Sequence, residues 1–371
     1  MNQRKNDKMS RLQAPSPNRG IYVHIPFCRS RCGYCSFVSQ VHRSGNEEGY
    51  FDALCAEIRE KETFFEKADT IYIGGGTPSA VSPKNLERTV YELKNRYDAS
   101  SLREFTIEMN PESATREKIS FYKSVGVDRF SLGVQSFDNR VLKILGRVHS
   151  RREIVRALEL FGVEDNLTID LIWGVTGFRQ NISFIDDYPI KHVSTYLLTL
   201  EEKTPLFNAG YRVKGDSYVE KEYFMLLEEL YKRGFERYEV SNFAKRGFES
   251  VHNSAYWETD SVYAGYGVSA ASYDTKRRIQ NTDSIEDYIS SGGRLEYAES
   301  VDLKKNSIEK IMLSMRTVKG LKVTGEIREH LDFNKVDSYV KSGKLRMKSE
   351  TLSFTERGFL IMNYVLSDIL F

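Results

Sequence analysis

The chain has 371 residues, of which 40% are hydrophobic and 29% charged, the balance of a globular protein with room for one large domain and a smaller one. Its formal net charge is only +2, which argues against nucleic acid or a membrane surface as the main partner. Four cysteines, three of them clustered, do not make a disulfide framework, so a reducing cytoplasm is the expected location.

The first twenty residues are polar and rich in Arg, Lys, Asn and Pro, and they lack the apolar run of a secretory signal. We interpret residues 1–20 as a disordered lead-in, because this composition buries little apolar surface. A transit peptide is the alternative, against which Asp7 counts. Nowhere in the chain is an apolar run long enough to span a bilayer.

Residues 21–37, IYVHIPFCRSRCGYCSF, concentrate the chemistry of the chain. They begin as an apolar strand, break at Pro26 and deliver Cys28, Cys32 and Cys35 at C-x3-C-x2-C spacing. Soft thiolates at short spacing suit a cubane iron–sulfur cluster, in which three ligands leave one iron open for another molecule. An incomplete zinc knuckle is the alternative, but a structural zinc site takes four ligands and no fourth Cys or paired His follows nearby.

The fourth cysteine, Cys55, lies at helical spacing from Phe51 and Ile58. We therefore predict a core thiol rather than a ligand at this position.

Strands and helices alternate after the cysteine loop. After the first strand, which begins at Ile21, the predicted strands are 70–73, 104–110, 129–135, 167–172 and 192–199. The predicted helices are 47–67, one capped by Ser82 and continuing to Tyr97, one from Thr115 to about Gly126, one ending near Gly146, and 152–161. This alternation indicates an α/β fold with a parallel sheet, open or closed, of six units rather than the eight of a complete barrel.

The regular alternation of strands and helices ends beyond Leu200. A helix is predicted over 217–234, and an irregular, aromatic-rich segment over 235–273. Two helices (307–318 and 324–331), a hairpin (345–354) and a helix from Thr355 to Phe371 then indicate a winged-helix-like module at 301–371. Because its final helix has no excess of basic residues, we favour a structural lid over DNA binding.

The string Gly74-Gly-Gly-Thr-Pro78 stands where a predicted strand ends, and ligands of parallel α/β proteins bind at that edge. Its glycines let backbone N–H groups approach a polar ligand. An ordinary tight turn is the alternative. Three later strands also carry one polar side chain each near the same edge, namely Glu108, Gln135 and Asp170. Solvation explains one such residue, whereas three indicate convergence on one cofactor.

The cysteine spacing, with Tyr34 before the third cysteine, resembles the radical S-adenosylmethionine (SAM) enzymes. The flanking Y-x-H-I-P-F-C string is similar to the branch that contains oxygen-independent coproporphyrinogen III oxidase. Further motifs that resemble this branch begin at Glu108 (EMNPE), Gly133 (GVQSF), Leu145 (LGRVH) and Ile169 (IDLIWG). The resemblance runs from about Gly20 to the C-terminus.

This resemblance implies a partial (β/α)6 barrel over 21–200, with a 4Fe–4S cluster on Cys28, Cys32 and Cys35. The open iron would chelate the amino and carboxylate groups of SAM. Carried over position by position, the other cofactor-binding residues implied are Tyr22, Tyr34, Gly75, Gly76, Thr77, Glu108, Gln135, Arg147 and Asp170. The GGGTP segment would receive the amino group of SAM, and Arg147 suits a carboxylate.

Two features separate branches of the family. The oxidase carries a further cysteine two positions after the third ligand, where this chain has Phe37. In the barrel extension, 201–300, the string H-N-x-x-Y-W at residues 252–257 is similar to the signature of the heme chaperone branch. We interpret His252, beside two aromatic residues, as a heme contact. A satisfied polar histidine is the alternative.

Two departures from the family stand out. Residues 173–177, WGVTG, replace the usual Y-G-L-P-G, and Ala271 stands where relatives often have His. The second removes a polar group near the expected heme segment.

The resemblance thus implies a heme chaperone that binds a 4Fe–4S cluster, SAM and heme and passes heme to an acceptor protein. The rivals are a true coproporphyrinogen III oxidase and a radical SAM enzyme for another substrate. The partners implied are a heme-accepting protein, an electron donor such as flavodoxin or ferredoxin, and membrane-bound acceptors contacted peripherally. Nucleic acid is not expected.

Overall fold

The structure, a computed structural model, describes residues 18–42, 44–301 and 303–371. Most of the predicted lead-in, residues 1–17, therefore lies outside the described residues. Its last two residues do not belong to a lead-in, because the first strand already begins at Arg19.

The described residues form the following strands: β1 (Arg19–Ile25), β2 (Phe27–Cys28), β3 (Gln40–Val41), β4 (Thr70–Gly75), β5 (Glu104–Met109), β6 (Arg129–Gln135), β7 (Asn166–Trp173), β8 (Ile190–Leu197), β9 (Glu236–Arg237), β10 (Asn242–Ala244), β11 (Val262–Tyr266), β12 (Ala271–Tyr273), β13 (Arg277–Asn281), β14 (Glu296–Ser300), β15 (Leu321–Lys322), β16 (Leu345–Lys348) and β17 (Thr351–Phe354). The α-helices are α1 (Ser44–Glu60), α2 (Pro83–Arg96), α3 (Arg116–Ser124), α4 (Asn139–Ile144), α5 (Arg151–Leu158), α6 (Pro205–Asn208), α7 (Asp216–Lys232), α8 (Val251–Ala255), α9 (Ile285–Ser290), α10 (Leu303–Ser314), α11 (Gly325–Arg328), α12 (Phe333–Lys341), α13 (Glu356–Leu360) and α14 (Met362–Ile369).

One twelve-stranded sheet organises the molecule, in the order β14-β13-β12-β11-β1-β4-β5-β6-β7-β8-β10-β9. The six predicted strands are its adjacent members β1, β4, β5, β6, β7 and β8, all paired in parallel. Their residues are largely buried, as in strands covered on both faces. The prediction of an α/β fold with a six-unit partial barrel is confirmed.

The prediction that residues 235–273 are irregular is partly wrong. Its short strands β9 and β10 extend the sheet beyond β8, and β11 pairs in parallel with β1 on the opposite side. The sheet therefore has seven adjacent parallel strands. These strands are only two to five residues long, so they lack the longer apolar runs that marked the six predicted strands.

Helix ends were predicted less well than strands. The predicted helix 47–67 ends at Glu60, and beyond it Phe65 packs on Tyr97 with ring centroids 5.3 Å apart. The predicted start at Thr115 is confirmed, since its hydroxyl accepts a hydrogen bond from the Lys118 backbone N–H.

The C-terminal module has its own hydrophobic core, which includes Ile311, Leu352 and Val365. The hairpin β16–β17 is confirmed, and β15 joins it as a third strand. Helix α12 was missed, and the predicted last helix is divided at Ile361 into α13 and α14. The five helices α10 to α14 beside a small three-stranded sheet agree with a winged-helix-like module.

Candidate functional site

A cavity of about 360 Å³ opens at the carboxyl ends of the barrel strands, the edge at which parallel barrels bind ligands. The structure brings most of the predicted site residues together in its wall: Cys28, Cys32, Tyr34, Cys35, Gly75, Gly76, Thr77, Glu108, Gln135, Arg147 and Asp170. Tyr22 and His252 lie elsewhere.

The cysteine loop is fixed to the barrel by backbone hydrogen bonds. The His42 N–H donates to the Cys28 carbonyl at 2.7 Å, where β2 and β3 pair. Further along, the Gly33 N–H donates to the Leu145 carbonyl at 2.9 Å, and the Gly33 carbonyl accepts from the Leu206 N–H at 2.8 Å. The loop is therefore held on both sides before any ligand binds.

Two of the three loop thiols accept hydrogen bonds from neighbouring side chains. The Thr77 hydroxyl donates to Cys28 Sγ at 3.6 Å, and Arg147 Nη1 donates to Cys32 Sγ at 3.3 Å. Burial raises the pKa of Cys28, and it raises the pKa of Cys35 to about 11. Thiolates at this site thus require a compensating positive charge, which Arg147 and a bound metal group would supply.

The donor set of the cysteine loop consists of three thiols, Cys28, Cys32 and Cys35, which all line the cavity. Three thiolates are a donor set that fits a cubane iron–sulfur cluster with one open iron, whereas a structural zinc site takes four protein ligands.

Two glycines of the GGGTP string make room for this loop. A Cβ on Gly75, whose φ is +110°, would lie 2.8 Å from the His24 ring. A Cβ on Gly76 would lie 3.0 Å from Cys28 Sγ and 2.9 Å from the Ile25 carbonyl oxygen. The string therefore allows close approach of the backbone to the cysteine loop.

Two carboxylates face the cavity from β5 and β7. Glu108 accepts hydrogen bonds from the Tyr72 hydroxyl at 2.6 Å and from the Gly75 N–H at 3.0 Å. Burial, with a smaller contribution from Asp170, raises the pKa of Glu108 to about 7. Burial also raises the pKa of Asp170, to which Ser131 donates at 3.2 Å. Such carboxyl groups are suited to ribose hydroxyls or an ammonium group.

Gln135 closes β6 with a φ of +62°, in the left-handed region that non-glycine residues rarely adopt. The register between β6 and β7 shifts at this point, as in a bulge. A bulge re-aims a side chain, and this one presents Gln135 to the cavity.

Asn110 is a site residue that the sequence analysis missed. Its Oδ1 accepts from Arg147 Nη2 at 2.6 Å, and its Nδ2 donates to Thr77 Oγ1 at 2.9 Å. It lines the cavity with both partners. Asn110 belongs to the motif Glu108-Met-Asn-Pro-Glu, from which only the Glu108 carboxylate was predicted to be a site residue.

Tyr22 lies behind the cavity rather than in its wall. Its hydroxyl is 2.9 Å from His24 Nδ1, and His24 Nε2 is 2.8 Å from the Val38 carbonyl of the cysteine loop. The predicted SAM contact of Tyr22 stays a prediction, while the geometry shows a chain of bonds from β1 to the loop.

His252 lies at the opposite end of the barrel, beside the first residues of β1 and β4. It is buried, with Nδ1 2.7 Å from Thr70 Oγ1 and Nε2 3.1 Å from the Tyr256 hydroxyl. Its ring stacks on Tyr72 at 5.0 Å, and burial lowers its pKa to about 4. Both nitrogens are occupied, so the structure favours the alternative of a satisfied polar histidine.

Trp257, from the same string, lines a separate cleft of about 1,100 Å³ between the barrel and the C-terminal module. Its Nε1 is buried and has no hydrogen-bond partner among the described residues. Thr317, Val318 and Gly320 form part of the facing wall.

The sequence-family model of the Radical SAM superfamily matches residues 22–181 of this chain. The heme chaperone HemW of Lactococcus lactis subsp. lactis (strain IL1403) is 33% identical over 97% of this chain and 98% of its own length. HemW of Buchnera aphidicola subsp. Schizaphis graminum (strain Sg) is 31% identical over 94% of this chain and 98% of its own.

The chain belongs to the HemW family of radical SAM proteins. The structure of coproporphyrinogen III oxidase (HemN) from Escherichia coli matches with a TM-score of 0.80 and 19% identity, covering 96% of this chain and 91% of that one. That likeness concerns the fold. Phe37, two positions after the third cysteine, lines the cavity.

Proposed function

We propose that this HemW family protein is a heme chaperone that holds a 4Fe–4S cluster and SAM at the barrel mouth and passes heme to an acceptor protein. The observation that carries the proposal is the wall of the 360 Å³ cavity, where three thiols and the polar ends of several strands converge. The full-length similarity to proteins named heme chaperones supports it.

Within this proposal, Cys28, Cys32 and Cys35 hold the cluster, and a bound cluster would supply an open iron and one-electron chemistry. Arg147 lies between the thiols and Asn110, where it balances thiolate charge and orients an anionic group of SAM.

For heme, the proposed contact at His252 carries a structural condition. Binding of the heme iron by His252 would require that Nε2 leave Tyr256 or that Nδ1 leave Thr70. Heme ligation is therefore linked to a movement of α8, which would also change the Trp257 wall of the large cleft.

The proposed partners are a heme acceptor and an electron donor such as flavodoxin or ferredoxin, in the cytoplasm, with peripheral contact to membrane-bound acceptors. Arg29 and Arg31 are exposed on the cysteine loop, and their charge suits an acidic donor protein. In the parts of the chain that the structure describes, no helix is long and apolar enough to cross a membrane.

Coproporphyrinogen III oxidation is the second candidate, supported by the shared fold and opposed by Phe37. The test uses the anaerobically reconstituted protein with SAM and a chemical reductant. We expect about one heme per chain in a titration followed by the Soret band, and no conversion of coproporphyrinogen. Protoporphyrinogen formation would overturn the chaperone proposal, and so would absence of heme binding.

A further inference from the structure

Gln180, a residue that neither motif nor resemblance singled out, bonds to the ends of two barrel strands. Its Nε2 donates to the Gln135 carbonyl at the end of β6 and to the Ile172 carbonyl near the end of β7, both at 2.7 Å. Gln135 and Ile172 both line the 360 Å³ cavity. Gln180 therefore joins the two strands directly behind the cavity wall.

The side chain and backbone of Gln180 are themselves fixed. Its Oε1 accepts from the Ser136 hydroxyl at 3.2 Å, and its backbone N–H donates to Glu222 Oε1 of α7 at 3.1 Å. Glu222 is 4% exposed. Since the amide group uses both its donor and its acceptor ends, its orientation is determined by these neighbours.

The bonded carbonyl belongs to the residue with the unusual backbone. Gln135 holds a φ of +62° at the bulge between β6 and β7, a conformation that persists only where surrounding contacts determine it. Without Gln180, this carbonyl would lose one donated bond and the peptide could relax. The Gln135 side chain would then leave the position from which it reaches the cavity.

We propose that Gln180 is a positioning residue for SAM, which acts by holding the strained Gln135 at the cavity wall. The inference rests on the proposed SAM site. Gln180 lies in the loop after β7, behind the cavity wall rather than in it. This loop would therefore contribute to SAM affinity without touching SAM.

The test is equilibrium dialysis of radiolabelled SAM with the anaerobically reconstituted protein. Gln180→Met keeps the length of the side chain and removes both donated bonds, and we expect about tenfold weaker SAM binding. Gln180→Glu, which keeps the acceptor alone, should show the same direction. The neighbouring, exposed Asn181→Ala is the matched control and should bind SAM normally. Iron content should be alike in all of them, whereas both Gln180 variants should melt below the wild type because two carbonyls lose a donor.

A double-mutant cycle tests the route. Once Gln135→Ala has removed the amide, adding Gln180→Met should weaken SAM binding no further. Normal affinity in Gln180→Met, a multiplied loss in the double variant, or a loss of iron beyond that of Asn181→Ala would each overturn the inference. A wild-type protein that binds no SAM would overturn the proposed function itself and this inference with it.

Discussion

The imidazole ring of His24 occupies the space in which a side chain on Gly75 would lie. A Cβ at Gly75 would approach the ring to 2.8 Å, and the same ring is bonded to the cysteine loop through the Val38 carbonyl. The His24 ring therefore contacts both the glycine string and the cysteine loop, although a whole helix separates these two segments in the sequence.

Gly75→Ala should destabilise the fold beyond the cost of its backbone angle. Gly247 is the matched control, because its φ is +85° and nothing lies within 4 Å of a Cβ built there. Gly247→Ala should cost about 1 kcal/mol, whereas Gly75→Ala adds the collision with His24. Urea unfolding measures both. Equal losses would show that the His24 contact has no energetic weight.

Single replacement of Cys28, Cys32 or Cys35 by Ala should abolish the broad visible absorption of the reconstituted cluster, because each removes one of three ligands. Cys55→Ala is the control, since this thiol is buried in α1 away from the cavity. Iron and sulfide content check the result. A cluster that survives loss of one loop cysteine but needs Cys55 would refute the ligand assignment.

The raised pKa of Glu108 predicts a pH dependence of stability in the cluster-free protein. Its pKa is about 7 when folded and near 4.5 when unfolded, so the unfolded chain releases the proton first. The stabilising contribution is complete below about pH 4.5 and is lost as the pH rises to about 7, a change of at most about 3 kcal/mol.

Glu108→Gln should remove this slope, and the exposed Glu87→Gln should retain it. The free energy of unfolding measured from pH 4.5 to 7.5 decides the matter. Parallel curves for wild type and Glu108→Gln would contradict the prediction.

His252→Ala should destabilise the protein by about 2–3 kcal/mol, because it removes two side-chain bonds and the stack on Tyr72. His330→Ala, at a half-buried position of the C-terminal module, is the control. Melting curves test the stability, and the Soret band tests the proposed heme contact in the same samples. If the variant melts normally, the structural importance of the buried bonds is disproved; an unchanged Soret band removes His252 from the heme site.

Arg147→Lys should weaken SAM binding by about tenfold while the cluster persists. Lysine keeps the charge but cannot donate to Cys32, Asn110 and the Gly133 carbonyl together, as the guanidinium does. Lys118→Arg, outside the cavity lining, serves as the control. Affinity equal to that of wild type would show that charge alone suffices at this position.

The sequence predicted the parts of this fold that are local. Strand β6 was placed at its observed bounds because all seven of its residues are buried and turns flank it. The predicted residues of the cysteine loop and the strand ends converge in one cavity, because parallel strands share an edge.

Other features depend on distant partners. The bonds of His252 to Thr70 and the bond of Gln180 to Gln135 join residues that are far apart in the chain, and no spacing rule connects them. Strand β11 was missed for the same reason, since its pairing with β1 is decided by the completed sheet.

That pairing has a consequence for how the protein is made. Strand β1 carries the cysteine loop, and one of its edges remains open until residues 262–266 are available to pair with it. The order of synthesis therefore leaves β1 half-paired while most of the chain is produced. Contacts of such long sequence separation form slowly, and unpaired strand edges invite association with other chains. The strand that carries the cysteine loop accordingly completes its pairing only after the ribosome has passed β11.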